Sequence, residues 1–147
     1  MTSVKTTLIL LSFFLIGCSG TGQRLSESAS ESTAFPENEF GTIFIARKSQ
    51  VYGSGVTIYV EANGKELGDL GVSEYLYAPA LSGVNNVKSG LAGFAGTVAI
   101  GDNSPMRSFM QESRTNRYFL VSLKFDLFSP QINMEEVSQQ TWLRAAK

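Results

Sequence analysis

The most regular alternation of apolar and polar positions along the chain lies in YFLVSLKFDLF, residues 118–128. From its second position onward, every other residue of this stretch is apolar, which is the period of a β-strand with one face toward a core. The apolar face consists of Phe119, Val121, Leu123, Phe125 and Leu127. The pattern therefore predicts the strongest strand of the protein over this stretch.

A second alternating stretch, VTIYVEA (residues 56–62), ends directly at Asn63-Gly64. Asn-Gly is the dipeptide best suited to a type I′ turn, because both central residues of that turn need positive φ. KELGDL, residues 65–70, follows the turn and has the length of a partner strand. We therefore predict a β-hairpin with its turn at Asn63 and Gly64.

Short strand-like segments separated by turn residues fill much of the rest of the chain. They cover residues 42–47, 74–81, 91–101 and 132–137. The last ten residues, SQQTWLRAAK, have helical spacing instead and begin at Ser138, a residue type that favours the helix N-cap. About seven short strands and a short C-terminal helix predict a mainly β fold, either a small antiparallel β-sandwich or a partly open barrel.

The amino terminus follows a different pattern. One positively charged residue, Lys5, precedes the run LILLSFFLI (residues 8–16), which is apolar except for one serine. A charged start followed by a short apolar run is typical of a secretory signal peptide. A helix that crosses a bilayer needs about 20 apolar residues, so this run is too short for a permanent transmembrane anchor.

The residues that end this run, Leu15-Ile16-Gly17-Cys18, resemble the lipobox of bacterial lipoproteins, with leucine at −3, a small residue at −1 and the obligatory cysteine at +1. The resemblance implies cleavage between Gly17 and Cys18, a diacylglycerol on the Cys18 sulfur and an acyl chain on the new amino group. Ser19 stands where aspartate would favour the inner membrane of enteric bacteria, so the resemblance points to the outer membrane. Two alternatives stay open: an ordinary signal peptide with a chance cysteine, and a buried core thiol.

The segment after the cysteine, residues 19–39, is rich in Ser, Glu, Gly and Thr and shows no apolar periodicity. This composition is typical of a solvated linker, and about 20 flexible residues reach about 25 Å. The predicted organisation is a signal peptide at 1–17, the lipidated cysteine and a flexible tether at 18–39, and a β-sandwich domain at 40–147.

Composition limits the chemistry that the domain can perform. The chain has 12 Lys and Arg against 13 Asp and Glu, scattered along its length, so it offers no basic face for nucleic acid. It has no histidine, which removes the commonest metal ligand and the general base of Ser-His and Cys-His sites. Its single cysteine cannot form an internal disulfide. We therefore expect no metal, no cofactor and no nucleic-acid partner.

Several positions of the hairpin region follow a pattern shared with one known group of proteins. They are Ile45, Arg47, Asn63, Gly64, Lys65, Gly68, Leu70 and Tyr75. With them, the chain resembles a domain-of-unknown-function family of small bacterial lipoproteins that is related in pattern to PEGA domains. NRYFLVSLKF (116–125) and MEEVSQQTWLRA (134–145) are similar to later segments of that family. The resemblance covers about residues 41–146 and implies a β-sandwich on a lipid tether, with no established activity.

Three glycine-containing segments lack the residues that a site of their type requires. Residues 90–96 have neither the G-x-G spacing nor the Lys-Ser/Thr of a phosphate loop, so a buried strand is the simpler interpretation. Residues 101–105 offer too few oxygen ligands for Ca²⁺, which favours a turn. Ser54, between two glycines, has no histidine to activate it as a nucleophile, which favours a loop.

Two groups of side chains remain as candidates. Glu66, Asp69 and Glu74 could supply a carboxylate pair for glycoside chemistry, although hairpin surface charges are the simpler interpretation. The residue types best suited to a binding surface are aromatic residues and arginine. Here they are Tyr52, Tyr59, Tyr75, Tyr77, Tyr118, Arg47 and Arg117, with half-buried sheet positions as the alternative.

These features favour a non-enzymatic lipoprotein of the outer membrane. In this hypothesis the lipid on Cys18 holds it at the membrane, and the β domain faces the periplasm, where it binds or braces another envelope protein or polymer. Two alternatives remain open: a lipid-anchored enzyme that uses carboxylates only, and a surface-exposed adhesion or inhibitor module.

Overall fold

A computed structural model describes residues 20–24, 38–50, 55–92, 98–99, 104–125 and 130–147 of the chain. Within these residues the chain forms ten strands and one helix. They are β1 Gln23–Arg24, β2 Thr42–Arg47, β3 Thr57–Ala62, β4 Lys65–Leu70, β5 Glu74–Pro79, β6 Gly83–Ala92, β7 Val98–Ala99, β8 Met106–Gln111, β9 Arg117–Phe125, β10 Pro130–Glu136 and α1 Gln139–Ala145.

The strands form two five-stranded sheets. The first sheet has the order β1-β5-β2-β9-β10. In the second sheet the order is β4-β3-β6, and both β7 and β8 pair with the remaining edge of β6. Among the described strands the pairs are antiparallel except for β2 and β9, which run parallel. The predicted mainly β fold with a short C-terminal helix is thus confirmed, as two sheets rather than a closed barrel.

The main core lies between the two sheets and is mostly aliphatic. Ile45 and Phe119 contribute to it from the first sheet, and Val60 and Val87 from the second. All four are at most 1% exposed. Burial of such side chains is the dominant favourable term in folding, so this layer holds the two sheets together.

A second, aromatic core lies on the other face of the first sheet, under the C-terminal helix. Trp142 of α1 is fully buried there, with ring centroids 5.7 Å from Phe44, 5.6 Å from Tyr75 and 5.8 Å from Tyr118. The helix begins after Ser138, whose hydroxyl accepts a hydrogen bond from the Thr141 amide, as expected for an N-cap. Strand β9 therefore contributes side chains to a core on each of its two faces.

The turn at Asn63 and Gly64 joins β3 to β4, with φ angles of 51° and 74°. The Asn63 side chain also fixes the turn to β6. Its amide group donates to the Asn85 side chain at 2.9 Å, and its oxygen accepts from the Asn86 backbone amide at 2.9 Å. The hairpin is thereby tied to the centre of the second sheet.

The sequence pattern misses three strands, which are the two-residue β1, most of β6 and all of β8. In β6 the polar residues Asn85 and Ser89 point inward and are fully buried, so the alternation of apolar and polar residues is lost. Of the strand expected at 91–101, the first two residues end β6 and residues 98–99 form β7, while 93–97 and 100–101 lie outside the described residues. The strand expected at 74–81 ends at Pro79.

Part of the segment expected to be a solvated linker lies on the domain instead. Residues 20–24 are described, and β1 within them pairs antiparallel with β5, Gln23 opposite Tyr75. The rest of that segment up to residue 37, and Gly17 and Cys18 before it, lie outside the described residues.

Candidate functional site

Three large apolar side chains are exposed on the outer face of the second sheet. Val84 is 59% exposed, Met106 58% and Met110 53%. Val84 of β6 lies directly opposite Met110 of β8, and Met106 lies four residues before Met110, so all three share one face. We call these three residues the β8 surface. Val84 and Met110 are neighbours on this face, whereas Met106 lies opposite Lys88 and is separated from Met110 by Ser108.

The opposite face of β8 is fixed to the rest of the domain. Phe109 packs against Phe119 with ring centroids 5.6 Å apart. The Arg107 guanidinium donates two hydrogen bonds to the Met134 carbonyl of β10, at 2.9 and 3.1 Å. These contacts join the two sheets at this edge, so the exposed methionines stand on a strand that is held in place.

A cleft of about 370 Å³ adjoins the β8 surface. It is lined by Met110, Gln111, Glu112, Ser113, Thr115 and Arg117. The buried amide of Gln111 shapes its floor, because it donates to the carbonyls of Phe40, Ser113 and Thr115 at 2.6 to 2.8 Å. Arg117, at the side of the cleft, pairs with Glu136 at 2.8 Å.

Arg117 and Phe109 also form a cation–π contact, with the guanidinium carbon 5.1 Å from the ring centroid. Arginine, methionine and aromatic side chains are the types enriched in protein interfaces. Of the aromatic and arginine candidates named from the sequence, Arg117 is the one that the structure places beside the β8 surface.

The other candidates from that group lie apart from it. Tyr75 and Tyr118 are buried around Trp142, and Tyr77 is a half-buried neighbour of Phe44. Tyr52 lies outside the described residues. Tyr75, Tyr77 and Tyr118 stabilise the core beneath the helix, which agrees with the alternative that they are sheet residues.

Tyr59 lies on the outer face of the second sheet, among acidic residues of β3 and β4. Its hydroxyl donates to Glu61 at 3.3 Å. Burial raises the pKa of the Tyr59 phenol, and the negative charges of Glu61, Glu66 and Asp69 raise it further. The phenol is therefore held in its neutral form.

Glu74 has different surroundings from the other two carboxylates that the sequence suggested. It is 3% exposed and accepts a hydrogen bond from the Gly71 amide at 2.8 Å. Its charge acts on Arg47, whereas those of Glu66 and Asp69 act on Tyr59. The structure therefore places these carboxylates in two different environments and not around a common substrate position.

Arg47 is fully buried between the sheets. Its Nη1 donates to the carbonyl oxygens of Val56 and Leu70, the latter at 3.3 Å. Burial lowers the pKa of the Arg47 guanidinium, and the nearby Glu74 carboxylate opposes that shift. Arg47 therefore belongs to the interior and has no place on a binding surface.

The glycine-containing segments contribute no site to the described part of the chain. Gly90 lies in β6 opposite Tyr59, as expected for a strand, whereas residues 93–97 and 101–103 are not described. Ser54 also lies outside the described residues. Within the ranges that the structure covers, no three acidic, histidine or cysteine side chains are grouped to hold a metal ion. Among the described helices, none has the length and apolar character needed to cross a membrane.

Sequence reasoning missed the β8 surface. Its signal is the period-two pattern of MRSFMQ, in which Met106, Ser108 and Met110 alternate with Arg107, Phe109 and Gln111. The usual rule places apolar residues inside and polar residues outside, but in β8 Gln111 is buried and both methionines are exposed.

No protein-family model, curated protein or solved structure matches this chain.

Proposed function

We propose that the chain is a lipid-anchored, non-enzymatic lipoprotein of the bacterial cell envelope that binds an extended segment of another envelope protein at the β8 surface. In this proposal the lipid on Cys18 holds the protein at the outer membrane, with the domain on the periplasmic side. The observation that carries the binding function is the row of exposed apolar side chains on β8 and β6.

The strand geometry favours an extended polypeptide as the occupant. Among the described strands β8 pairs with β6 alone, and in this proposal the further strand adds to the other edge of β8, where Arg117 donates to the Met110 carbonyl. An added strand places side chains beside Met106 and Met110 at the two-residue period of the sheet. Methionine suits this role because its unbranched thioether adapts to the shape of a partner.

The lipid anchor is supported by the amino-terminal residues. A short apolar run, a small residue at −1 and the only cysteine of the chain stand in the order that a lipobox requires. Two or three acyl chains give stable membrane anchoring, whereas one chain binds reversibly. We expect Cys18→Ser to move the protein from the membrane to the soluble fraction. Ser19→Ala, which keeps the lipobox, is the control, and a Cys18→Ser protein that stays in the membrane would refute the anchor.

Binding at β8 is tested with a photo-crosslinking residue at Met110 in the lipidated protein, in intact cells. The same residue at Gln140, exposed on α1, is the control position. We expect one discrete adduct from position 110, none from 140, and loss of the 110 adduct when Val84 is replaced by Ser. An adduct with the mass of two copies of this chain, or identical adducts from both positions, would contradict the proposal.

A further inference from the structure

The amino-terminal residues 20–24 close one edge of the sandwich. The backbone amides of Thr21 and Gly22 both donate to the Asp69 carbonyl of β4, at 2.9 and 3.1 Å. The Thr21 hydroxyl accepts from the Asp69 amide at 2.9 Å. Two residues later β1 pairs with β5. The segment therefore bridges β4 of the second sheet and β5 of the first.

Glycines on residues 20–24 and on β4 allow the two backbones to approach each other closely. A Cβ at Gly20 would overlap the Glu74 carboxylate and the Gly71 backbone, and a Cβ at Gly22 would lie 2.8 Å from that of Glu74. Gly68 on β4, with φ of 131°, has no room for a Cβ beside the Thr21 hydroxyl. Glycines are thus present where the segment and the domain meet most closely.

Side chains add to these backbone contacts. The Tyr75 hydroxyl donates to the Gln23 side chain at 2.9 Å. Arg24 lies 3.9 Å from the Glu74 carboxylate, which is 3% exposed. The segment covers a buried carboxylate and supplies a positive charge beside it, so its removal would leave polar groups of the edge without these partners.

We infer that residues 20–24 fix the orientation of the domain on the membrane, with the edge formed by β1, β4 and β5 toward the lipid. This inference rests on the proposed lipid anchor. Gly20 is two residues from Cys18, and two residues span at most about 7 Å. A lipid on Cys18 is therefore attached next to a docked segment, and a long flexible tether does not separate it from the domain.

The same arrangement places the β8 surface at the far edge of the sandwich. In the first sheet, β1 and β10 are the two ends, four strand spacings apart, which is about 19 Å. β8 lies on the β10 side, because Arg107 donates to the Met134 carbonyl of β10. In the second sheet, β4 and β8 are likewise at opposite ends. The β8 surface accordingly faces a partner in the aqueous compartment and not one embedded in the same membrane.

The docking of the segment is tested by hydrogen exchange on the lipidated chain in vesicles. We expect the amides of Thr21 and Gly22 to exchange at least about tenfold more slowly than an unstructured backbone. Gly22→Val removes that protection because its side chain meets Glu74. Gly55→Val is the matched control, since a Cβ at Gly55 meets nothing within 4 Å. Unprotected amides at both positions in the unaltered chain would overturn the inference.

Orientation is measured by energy transfer to acceptor dyes on the lipid headgroups. A single labelled cysteine is introduced by Glu66→Cys on β4 or Met106→Cys on β8, because Cys18 is consumed by lipidation. We expect higher transfer from position 66 than from position 106, a difference that Gly22→Val abolishes and Gly55→Val preserves.

This experiment distinguishes a failure of the proposed lipid anchor from a failure of the inferred orientation. Loss of vesicle binding in the unaltered chain refutes the lipid anchor itself. Full vesicle binding with equal transfer from positions 66 and 106 leaves the anchor intact and refutes the fixed orientation.

Discussion

The two edges of the sandwich are completed in opposite ways. At the edge formed by β1, β4 and β5, the chain covers its own backbone and its buried carboxylate with residues 20–24. At the β8 edge, backbone and side chains bind inward, while Met106 and Met110 remain more than half exposed. An exposed strand edge is a template for association, and proteins normally protect it. The chain thus closes one edge with its own residues 20–24, whereas no described strand pairs with the outer side of β8.

The residue types at the two edges also differ. The closed edge is rich in glycine and satisfied hydrogen bonds, which favour a permanent contact of two backbones. The open edge presents two adaptable thioethers, while the cation–π pair of Arg117 and Phe109 lies on the inward side of β8, where Phe109 packs against Phe119. Substitutions should therefore affect stability at the closed edge and on the buried side of the open edge, and binding on the exposed side of the open edge.

The largest effect is expected for Glu74→Ala at the closed edge. The change removes the acceptor of the Gly71 amide and a negative charge near the buried Arg47. The buried Gly71 amide then has lost its charged acceptor, and a hydrogen bond to a charged group contributes up to about 3 kcal/mol, so we expect the free energy of unfolding to fall by about 3 kcal/mol. Urea denaturation measures the change.

Glu112→Ala, an exposed carboxylate at the open edge, is the matched control and should alter stability by less than about 0.5 kcal/mol. Glu74→Gln keeps an acceptor for the Gly71 amide, so its loss of stability should lie between those of Glu74→Ala and Glu112→Ala. Equal stability of the Glu74→Ala and Glu112→Ala proteins would mean that the closed edge does not depend on its buried carboxylate.

The next largest effect is expected for Gln111→Ala, on the inner side of the open edge. The two N–H groups of the Gln111 amide are shared among three backbone carbonyls, and all three lose this donor in the variant. Unsatisfied buried polar groups cost about 1–3 kcal/mol, so we expect a loss of about 2 kcal/mol in urea denaturation. Gln140→Ala on α1, an exposed glutamine, is the control and should change stability little. A loss no larger than that of the control would show that the loop at the cleft is held by other contacts.

A smaller effect is expected for Tyr75→Phe at the closed edge. The variant loses the hydrogen bond from the phenol to Gln23, which at neutral pH contributes about 1 kcal/mol. Burial raises the pKa of the Tyr75 phenol above the ordinary 10.0, with a further contribution from Tyr77. The folded state therefore holds this proton more tightly than the unfolded state, and stability is lost as pH rises from about 10 through the folded pKa.

The pH dependence of stability separates the contribution of the Tyr75 hydroxyl from the packing of its ring. Thermal unfolding between pH 8 and pH 11 should show a shallower alkaline loss of stability in Tyr75→Phe than in the unaltered chain. Tyr59→Phe, on the other sheet, should flatten the same alkaline range, because burial and the nearby acidic residues also raise the pKa of the Tyr59 phenol. An unchanged alkaline profile in Tyr75→Phe would contradict the raised pKa.

Sequence pattern predicted the elements in which local signals and burial agree. The alternation of β9, the Asn-Gly turn and the Ser138 cap each depend on a few neighbouring residues, and the structure contains a strand, a turn and a helix at these places. The fold class followed from their number and spacing. Burial of Asn85 and Ser89 in β6 breaks the same rule, because their inward positions are set by strand pairing and not by hydrophobicity.

The candidate site was less accessible to sequence reasoning for two physical reasons. On β8 the two methionines face outward while Phe109 and Gln111 face inward, so the pattern could not distinguish a strand with an exposed apolar face from an irregular loop. The closed edge depends on contacts between residues 48 apart, Thr21 and Asp69, and no local signal specifies such a pair. The serine- and glutamate-rich composition of residues 19–39 favoured a solvated linker. Composition alone could not show that residues 20–24 dock on the domain.

The smallest effect on stability is expected at the open edge, for the double change Met106→Ser and Met110→Ser. Both side chains are more than half exposed, so their removal leaves no cavity and should alter the free energy of unfolding by less than about 0.5 kcal/mol. A photo-crosslinking residue at position 84, opposite Met110, should form the adduct when both methionines are present and lose it in this variant, because the partner would no longer bury the two thioethers. Crosslinking from position 84 measures binding, and urea denaturation of the same preparation measures stability, so the two effects are separated. A loss of stability near 2 kcal/mol would show that the methionines belong to the fold, and the contrast between a closed and an open edge would then disappear.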